Sequence, residues 1–317
     1  MGKYIGKRIL LLVPAVFLVC VIVFALMRLV PGDAVDSIIY KYSSMGISAD
    51  RAEVEAMLGL DQPAVAQFFT WLKGVLTGDL GDSLFEYESV ASIIGRQLPV
   101  TLELGILTLL FSCILSIPIG LFCAAKQDSL PDYAFRVVAI LLVSIPVFWI
   151  ATMVIIYPSL WWGYAPPTTY VSFFENPLEN LRMFIIPALL GALMQAGIQM
   201  RTVRTMTLEV MRLDYIRTAW AKGTKERVIL FKHAFRNAMI PVVTMIGGSA
   251  ATMIGGSVIM ESVFNIPGIG QQVITALGSR DYPLVQGCVL VFSIFVMIVN
   301  LLVDLAYKWI DPRVELD

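Results

Sequence analysis

The chain has 317 residues, of which 58% are hydrophobic and 15% charged, with a formal net charge of −1 and a mean hydropathy of +0.79. A soluble globular protein carries about 25% charged residues, and the deficit here is too large to reflect an apolar core alone. The balanced charge gives no footing for nucleic acid, and a single histidine leaves no metal site of the usual His/Cys type. Cys20, Cys113, Cys123 and Cys288 lie in or beside apolar runs without CxxC spacing, and are small packing residues.

Lys3, Lys7 and Arg8 precede an apolar run, as in a signal peptide, but Ile9 to Val30 holds 21 uncharged residues around Arg28. That exceeds the roughly 7–15 residues of a signal core, so the run is a retained first span. About 20 apolar residues cross a bilayer as a helix. Six segments meet that test: Ile9–Met27, Leu98–Ala125, Val137–Tyr157, Met183–Gln199, Ala238–Met260 and Leu284–Tyr307. The expected fold is an all-α membrane bundle with six transmembrane helices.

Between the first two spans, Val65, Phe68, Phe69, Leu72, Val75 and Leu76 share one face of an amphipathic helix that Asp61 could cap. Tyr157, Trp161, Trp162 and Tyr164 cluster where the third span ends, and Tyr307 and Trp309 end the sixth, as interfacial anchors do. With the N-terminus in the cytoplasm, 16 of the 23 basic residues fall inside, nine of them between spans four and five. The external segment from Pro31 to Gln97 has ten acidic residues against four basic ones. Both termini are therefore expected in the cytoplasm.

The segment between spans four and five reads RTVRTMTLEVMRLDYIRTAWAKGTKERVILFKHAFRNAMIP, Arg201 to Pro241. Val203, Met206, Val210 and Leu213 make a stripe on one helix face, with Arg204, Arg212 and Arg217 among the polar positions. Gly223 breaks the pattern, and Thr224 could cap a second helix through Phe235. Two helices meeting at a glycine, with small Ala219 and Ala221 nearby, suit a groove on a partner protein. They would equally suit a basic surface held to anionic lipid. Periodicity alone does not separate these readings.

In span five, Gly247, Gly248, Gly255 and Gly256 permit close helix packing, and could also line a solute path. The Glu261–Gly270 block, with Pro267, bends the chain and reads as re-entrant. Glu103 and Asp304 sit near span ends, where they reach the interface. No G-x-x-x-x-G-K-[ST] phosphate loop occurs, and one histidine in a loop leaves no nucleophilic triad.

The run Asp214-Tyr215-Ile216-Arg217-Thr218-Ala219-Trp220-Ala221-Lys222-Gly223 resembles the coupling motif of ATP-binding-cassette (ABC) importer permeases, more narrowly their dipeptide, oligopeptide and nickel branch, first-permease type. Arg28-Leu29-Val30-Pro31-Gly32-Asp33, Gly59-Leu60-Asp61-Gln62-Pro63, Leu76-Thr77-Gly78-Asp79-Leu80-Gly81, Thr101-Leu102-Glu103-Leu104 and the block ESVFNIPGIGQQVITALGSRDYPLVQG (Glu261 to Gly287) are similar to that family's signatures in order. The wider family has Ile-x-Leu-Pro soon after the glycine. This chain has His233-Ala234-Phe235-Arg236 there and Ile240-Pro241 later, a departure that fits the peptide branch.

The resemblance implies a type I permease bundle in a prokaryotic inner membrane, importing di- or oligopeptides or similar small solutes. It implies a second homologous permease, two cytoplasmic ATPases and an external solute-binding protein as partners, beside membrane lipid. This chain would be a non-catalytic subunit binding no cofactor or metal, with ATP and Mg on the ATPases. Nickel-chelate or glutathione import is the alternative cargo, and a gradient-driven secondary transporter the rival class. Asp214, Tyr215, Arg217, Thr218, Ala219, Lys222 and Gly223 would contact the ATPase. Gly248, Ala251, Thr252, Gly255 and Glu261 are the candidates for the solute path. The organisation expected is residues 1–30 as tail and first span, 31–97 as the external segment, and 98–317 as a five-helix core with its coupling loop at 201–237.

Overall fold

The computed structural model describes residues 2–29 and 34–310. The signature residues Val30–Asp33, the basic Arg313 in 311–317, and the side chains of Lys3, Lys7, Arg8, Ile240, Asp304, Tyr307, Lys308 and Trp309 lie outside what is described. In chain order the helices are α1 (Gly2–Leu29), α2 (Ala34–Ser44), α3 (Arg51–Met57), α4 (Ala64–Thr77), α5 (Val90–Ala125), α6 (Leu130–Ser144), α7 (Val147–Trp162), α8 (Pro177–Met211), α9 (Asp214–Ala221) and α10 (Glu226–Val228). A π-helical stretch, Ile229–Phe235, then leads into α11 (Arg236–Phe264), followed by α12 (Ile269–Ser279) and α13 (Tyr282–Ile310). The β-structure among the described residues is one isolated bridge, Asp82 to Ser89, so the chain is all-helical.

Among the described residues, four helices are long and apolar enough to cross a membrane: Leu10–Leu29, Val90–Ala125, Pro177–Met211 and Tyr282–Val303. Two bent pairs raise the number to six if each is one span. One pair is α6 and α7, which meet at 91°, where a straight third span was expected. The cause is local. Pro146 pushes Ile145 out of the helical region, to φ −91° and ψ 130°. The second pair lies within α11, bent by 46° between Met253 and Ser257. Two expected spans are also too short: α5 starts at Val90, eight residues before Leu98, and α8 runs for 35 residues. Asn176 starts α8 by accepting from Glu179 N at 3.3 Å, with Pro177 at the first helical position.

The chain divides into two compact units, Met1–Val100 with Gly268–Met297, and Thr101–Pro267 with Ile298–Asp317. The first has a core of Met27, Val90, Ile93, Ile94, Ile269, Leu284, Val285 and Cys288. A Cβ on Gly287 would come within 2.5 Å of Val90 Cγ1, so only glycine lets α13 approach the start of α5 this closely. Ser83 donates to the buried Asp281, and Asp281 Oδ1 accepts from Leu284 N at the start of α13. Lys41 donates to the carbonyls of Leu84 and Phe85 and lies over the rings of Phe85 and Tyr87, which ties α2 to the loop before α5.

Helix α4 is the amphipathic element expected. Phe68, Trp71, Leu72 and Val75 are half-buried, and Phe68 meets Phe24 of α1 edge-on at 5.3 Å. Val65, Phe69 and Leu76 of the same expected face stay exposed. Asp61 does not cap it. Pro63 holds the cap position without a side-chain bond, and Asp61 instead accepts from Gln62. In the second unit, Leu121, Val203 and Val242 form a core across α5, α8 and α11. Gly247 lies where an added Cβ would meet Val303 atoms at 2.4–3.0 Å. Tyr170 donates to Glu103 Oε2 at 3.2 Å, which gives that carboxylate a partner.

Candidate coupling segment and membrane cavity

Helix α8 stops at Met211, and the extended Leu213 (φ −73°, ψ 150°) turns the chain into α9. Asp214 in the first turn of α9 complements the helix dipole, and Arg217 donates to it at 3.3 Å. Ile216 is fully buried and anchors the helix. Asp214, Tyr215, Arg217, Thr218, Lys222 and Gly223 are exposed, while Ala219 is half-buried. The exposed residues thus form a surface standing on one apolar anchor.

The end of α9 is a Schellman turn. Gly223 N donates to Trp220 O at 2.9 Å, Thr224 N to Ala219 O at 3.2 Å, and Gly223 sits at φ +74°. Gly223 is therefore needed for its left-handed backbone; a Cβ there would meet nothing within 4 Å. The second helix departs from expectation. Lys225, not Thr224, takes its cap position, without a side-chain bond. It does not end at Phe235 either, because the π-helical turn carries it straight into α11. π-Helical stretches inside helices are rare and frequently fall at functional sites. Here the His233 carbonyl accepts from Asn237 Nδ2 at 3.1 Å and from Tyr215 Oη at 3.4 Å, and Asn237 Nδ2 also donates to Tyr215 Oη at 2.6 Å.

Arg204, one of the polar positions of α8, is largely buried. It donates from Nε and Nη2 to both oxygens of the fully buried Asp132, each at 2.8 Å, joining the start of α6 to α8. Arg136 Nε stands 3.6 Å from the same carboxylate. A paired buried charge of this kind escapes sequence reading, because Asp132 and Arg204 are 72 residues apart.

A cavity of about 220 Å³ lies among α5, α7, α8 and α11, lined by Gly105, Thr108, Gly191, Gln195, Ser249 and Thr252 among others. No charged residue is among the lining residues described. Beside it runs a chain of polar side chains. Gln195 donates to Ser249 Oγ, Ser116 to Gln199 Oε1 at 2.9 Å, and Ser249 to Met245 O at 2.8 Å. Between apolar helices such bonds hold neighbours together. Gln195 and Gln199 were missed, although two glutamines four apart in an apolar span put both amides on one face.

Of the expected path residues, Thr252 lines this cavity. Gly248 and Gly255 are exposed, and nothing of this chain lies within 4 Å of an added Cβ on either. With spacings of four and three, Gly248, Thr252 and Gly255 share one open face of α11. Ala251 is half-buried, and Glu261 is fully buried on the other side of the helix. The two readings of the small residues therefore divide: Gly247 packs, and Gly248 faces open space.

An all-helical chain with several helices long and apolar enough to span a bilayer has the make-up of a multi-pass membrane protein. Its sequence matches two family models, the binding-protein-dependent transport system inner membrane component over residues 116–316 and the N-terminal membrane component of such systems over residues 1–105. The chain belongs to this family of binding-protein-dependent transport system inner membrane components, and so is a multi-pass transport permease of the ABC importer type, not a catalytic enzyme. A Brucella suis biovar 1 protein named as a peptide transport system permease is 39% identical over the full length of both chains. The dipeptide transport system permease DppB of Escherichia coli is 35% identical over 99% of each, and that of Alkalihalophilus pseudofirmus 34% identical over 99% of this chain and 100% of that one. Among solved structures, a chain of the MetNI methionine ABC transporter in inward-facing conformations superposes with a TM-score of 0.55 at 17% identity, covering 69% of this chain and 96% of that one. That likeness concerns the fold.

Proposed function

We propose that this chain is one of two related permeases of an importer for di- and oligopeptides or similar small solutes in the inner membrane of a prokaryote. Relatives named for peptide and dipeptide transport, aligned end to end with this chain, support the solute class. The bundle then has six spans, with α6–α7 and α11 as bent ones. Both termini lie in the cytoplasm, a placement supported by the nine basic residues between Arg201 and Arg236. Residues 1–30 and 98–317 carry the spans, and 31–97 form the external segment.

The observation that carries the mechanism is the α9 surface, exposed outward yet joined to α11 through Tyr215 and Asn237. In this reading Asp214, Tyr215, Arg217, Thr218, Ala219, Lys222 and Gly223 meet a cytoplasmic ATPase. Closure of the ATPase pair on ATP and Mg pushes α9, and α11 moves with it. Differential contact in the two states transmits the energy. Solute passes along the face of Gly248, Ala251, Thr252 and Gly255, with the buried Glu261 at the end of the same helix. The uncharged cavity at Gln195 and Ser249 offers amides and hydroxyls to a peptide backbone without trapping a charged terminus. This chain itself holds no cofactor, and an external binding protein delivers the solute.

Affinity purification of the tagged chain from native membranes in mild detergent, with mass spectrometry of what is retained, tests this. A second permease and P-loop ATPases in the eluate are expected, with dipeptide uptake in proteoliposomes that requires ATP. The chain alone, with uptake that survives ATP depletion and collapses with an ionophore, would instead make it a gradient-driven transporter.

A further inference from the structure

A larger cavity, about 510 Å³, lies in the first compact unit, walled by the end of α1, the turn after α3, one side of α4 and the start of α13. Its volume suits a small-molecule group. Several lining residues carry hydrogen-bond donors, Gln62, Gln67, Thr70 and Tyr282 beside Trp71, Gln286 and Arg28. Trp71 Nε1 is shielded from solvent and has no acceptor among the described residues. Gln286 is only 9% exposed, and its amide makes no hydrogen bond among the described residues. Arg28 adds a guanidinium, held by Gln67 Oε1 and 4.6 Å from the centre of the Phe24 ring. No Asp or Glu is among the lining residues described. A shielded donor without an acceptor, as at Trp71, is costly, and donors beside a cation without a carboxylate are complementary to the oxygens of an anion.

The position narrows the anion. Phe24, Met27 and Arg28 occupy the last two turns of the apolar stretch Leu10–Leu29, the depth at which a span meets headgroups. The helices that wall the cavity also expose apolar side chains, Ile22 and Leu26 on α1 and Val65 and Phe69 on α4. An anion that satisfies both the donors and this surroundings carries hydrocarbon. We propose that the cavity holds the phosphodiester of a membrane phospholipid, with Arg28, Trp71 Nε1–H and the Gln286 amide donating to its oxygens and the acyl chains lying along α1. The assignment rests on α1 being a membrane span.

The test uses the assembled transporter in mild detergent, exchanged into phosphatidylglycerol and read by native mass spectrometry for bound lipid. Trp71→Phe keeps an aromatic six-membered ring to pack on Phe24 and Phe68 and removes the N–H together with the five-membered ring; Gln286→Leu removes the amide at similar volume. One phospholipid should stay on the wild-type chain through delipidation, and its apparent affinity should fall by about tenfold in each variant, as loss of one bond to a charged group implies. Equal retention in wild type and both variants, or none in wild type, overturns the proposal. Displacement of the lipid by inorganic phosphate or glycerol 3-phosphate also overturns it, since the ligand would then be a free anion. The readout is bound mass and not uptake, so this site and the transport reading fail independently.

Discussion

Asn237 Nδ2 donates to Tyr215 Oη at 2.6 Å, bridging 22 residues of chain and linking the exposed α9 to the first turn of α11. Both groups also reach the His233 carbonyl within the π-helical turn, so the three form one joint. The joint ties α9 to the start of α11, and the buried Ile216 anchors α9.

Tyr215→Phe removes the hydroxyl and keeps the ring. The joint should weaken by about 1 kcal/mol, the net value of a typical hydrogen bond. Proteoliposomes should show ATP hydrolysis sustained while solute uptake per ATP falls severalfold. Unchanged stoichiometry would show that the joint transmits nothing.

Gly223→Ala forces a Cβ into a left-handed backbone at φ +74° and should cost about 1 kcal/mol at the end of α9. Gly223→Trp adds bulk on the exposed side and should abolish uptake without loss of membrane insertion. ATP-driven uptake by the tryptophan variant at the wild-type rate would count heavily against a coupling role for α9.

Asp132→Asn leaves Arg204 without its counter-ion where both side chains are largely buried. Removing one partner of such a pair costs about 3–5 kcal/mol, whereas replacing both by well-packed leucines can be neutral. Thermal unfolding in detergent should therefore show Asp132→Asn strongly destabilised and the double variant Asp132→Leu/Arg204→Leu largely restored. Equal destabilisation of both would mean that the pair's geometry, not its charge balance, holds α6 to α8.

The neighbours Gly247 and Gly248 should respond in opposite ways. Gly247→Val overpacks against Val303 and should destabilise the fold by about 1–3 kcal/mol. Gly248→Trp has open space before it, so it should leave stability unchanged and block uptake if that face lines the path. Normal uptake with Gly248→Trp would remove this face of α11 from the pathway.

Composition and apolar run length alone determined that the chain is a helical membrane protein, because a bilayer demands about 20 apolar residues per span whatever the neighbours are. The break after α9 was legible too, since Gly223 is a backbone requirement written in one residue type. Tertiary structure decided the rest. The break at Pro146 changed a straight span into a 91° corner, since a proline can either kink a helix or end it depending on what surrounds it. The Asp132–Arg204 pair, the Tyr215–Asn237 joint and the different surroundings of Gly247 and Gly248 depend on which elements meet across 22 to 72 residues of chain. Local periodicity assigns a residue to a face, but only packing decides whether that face meets another helix, a cavity or open space.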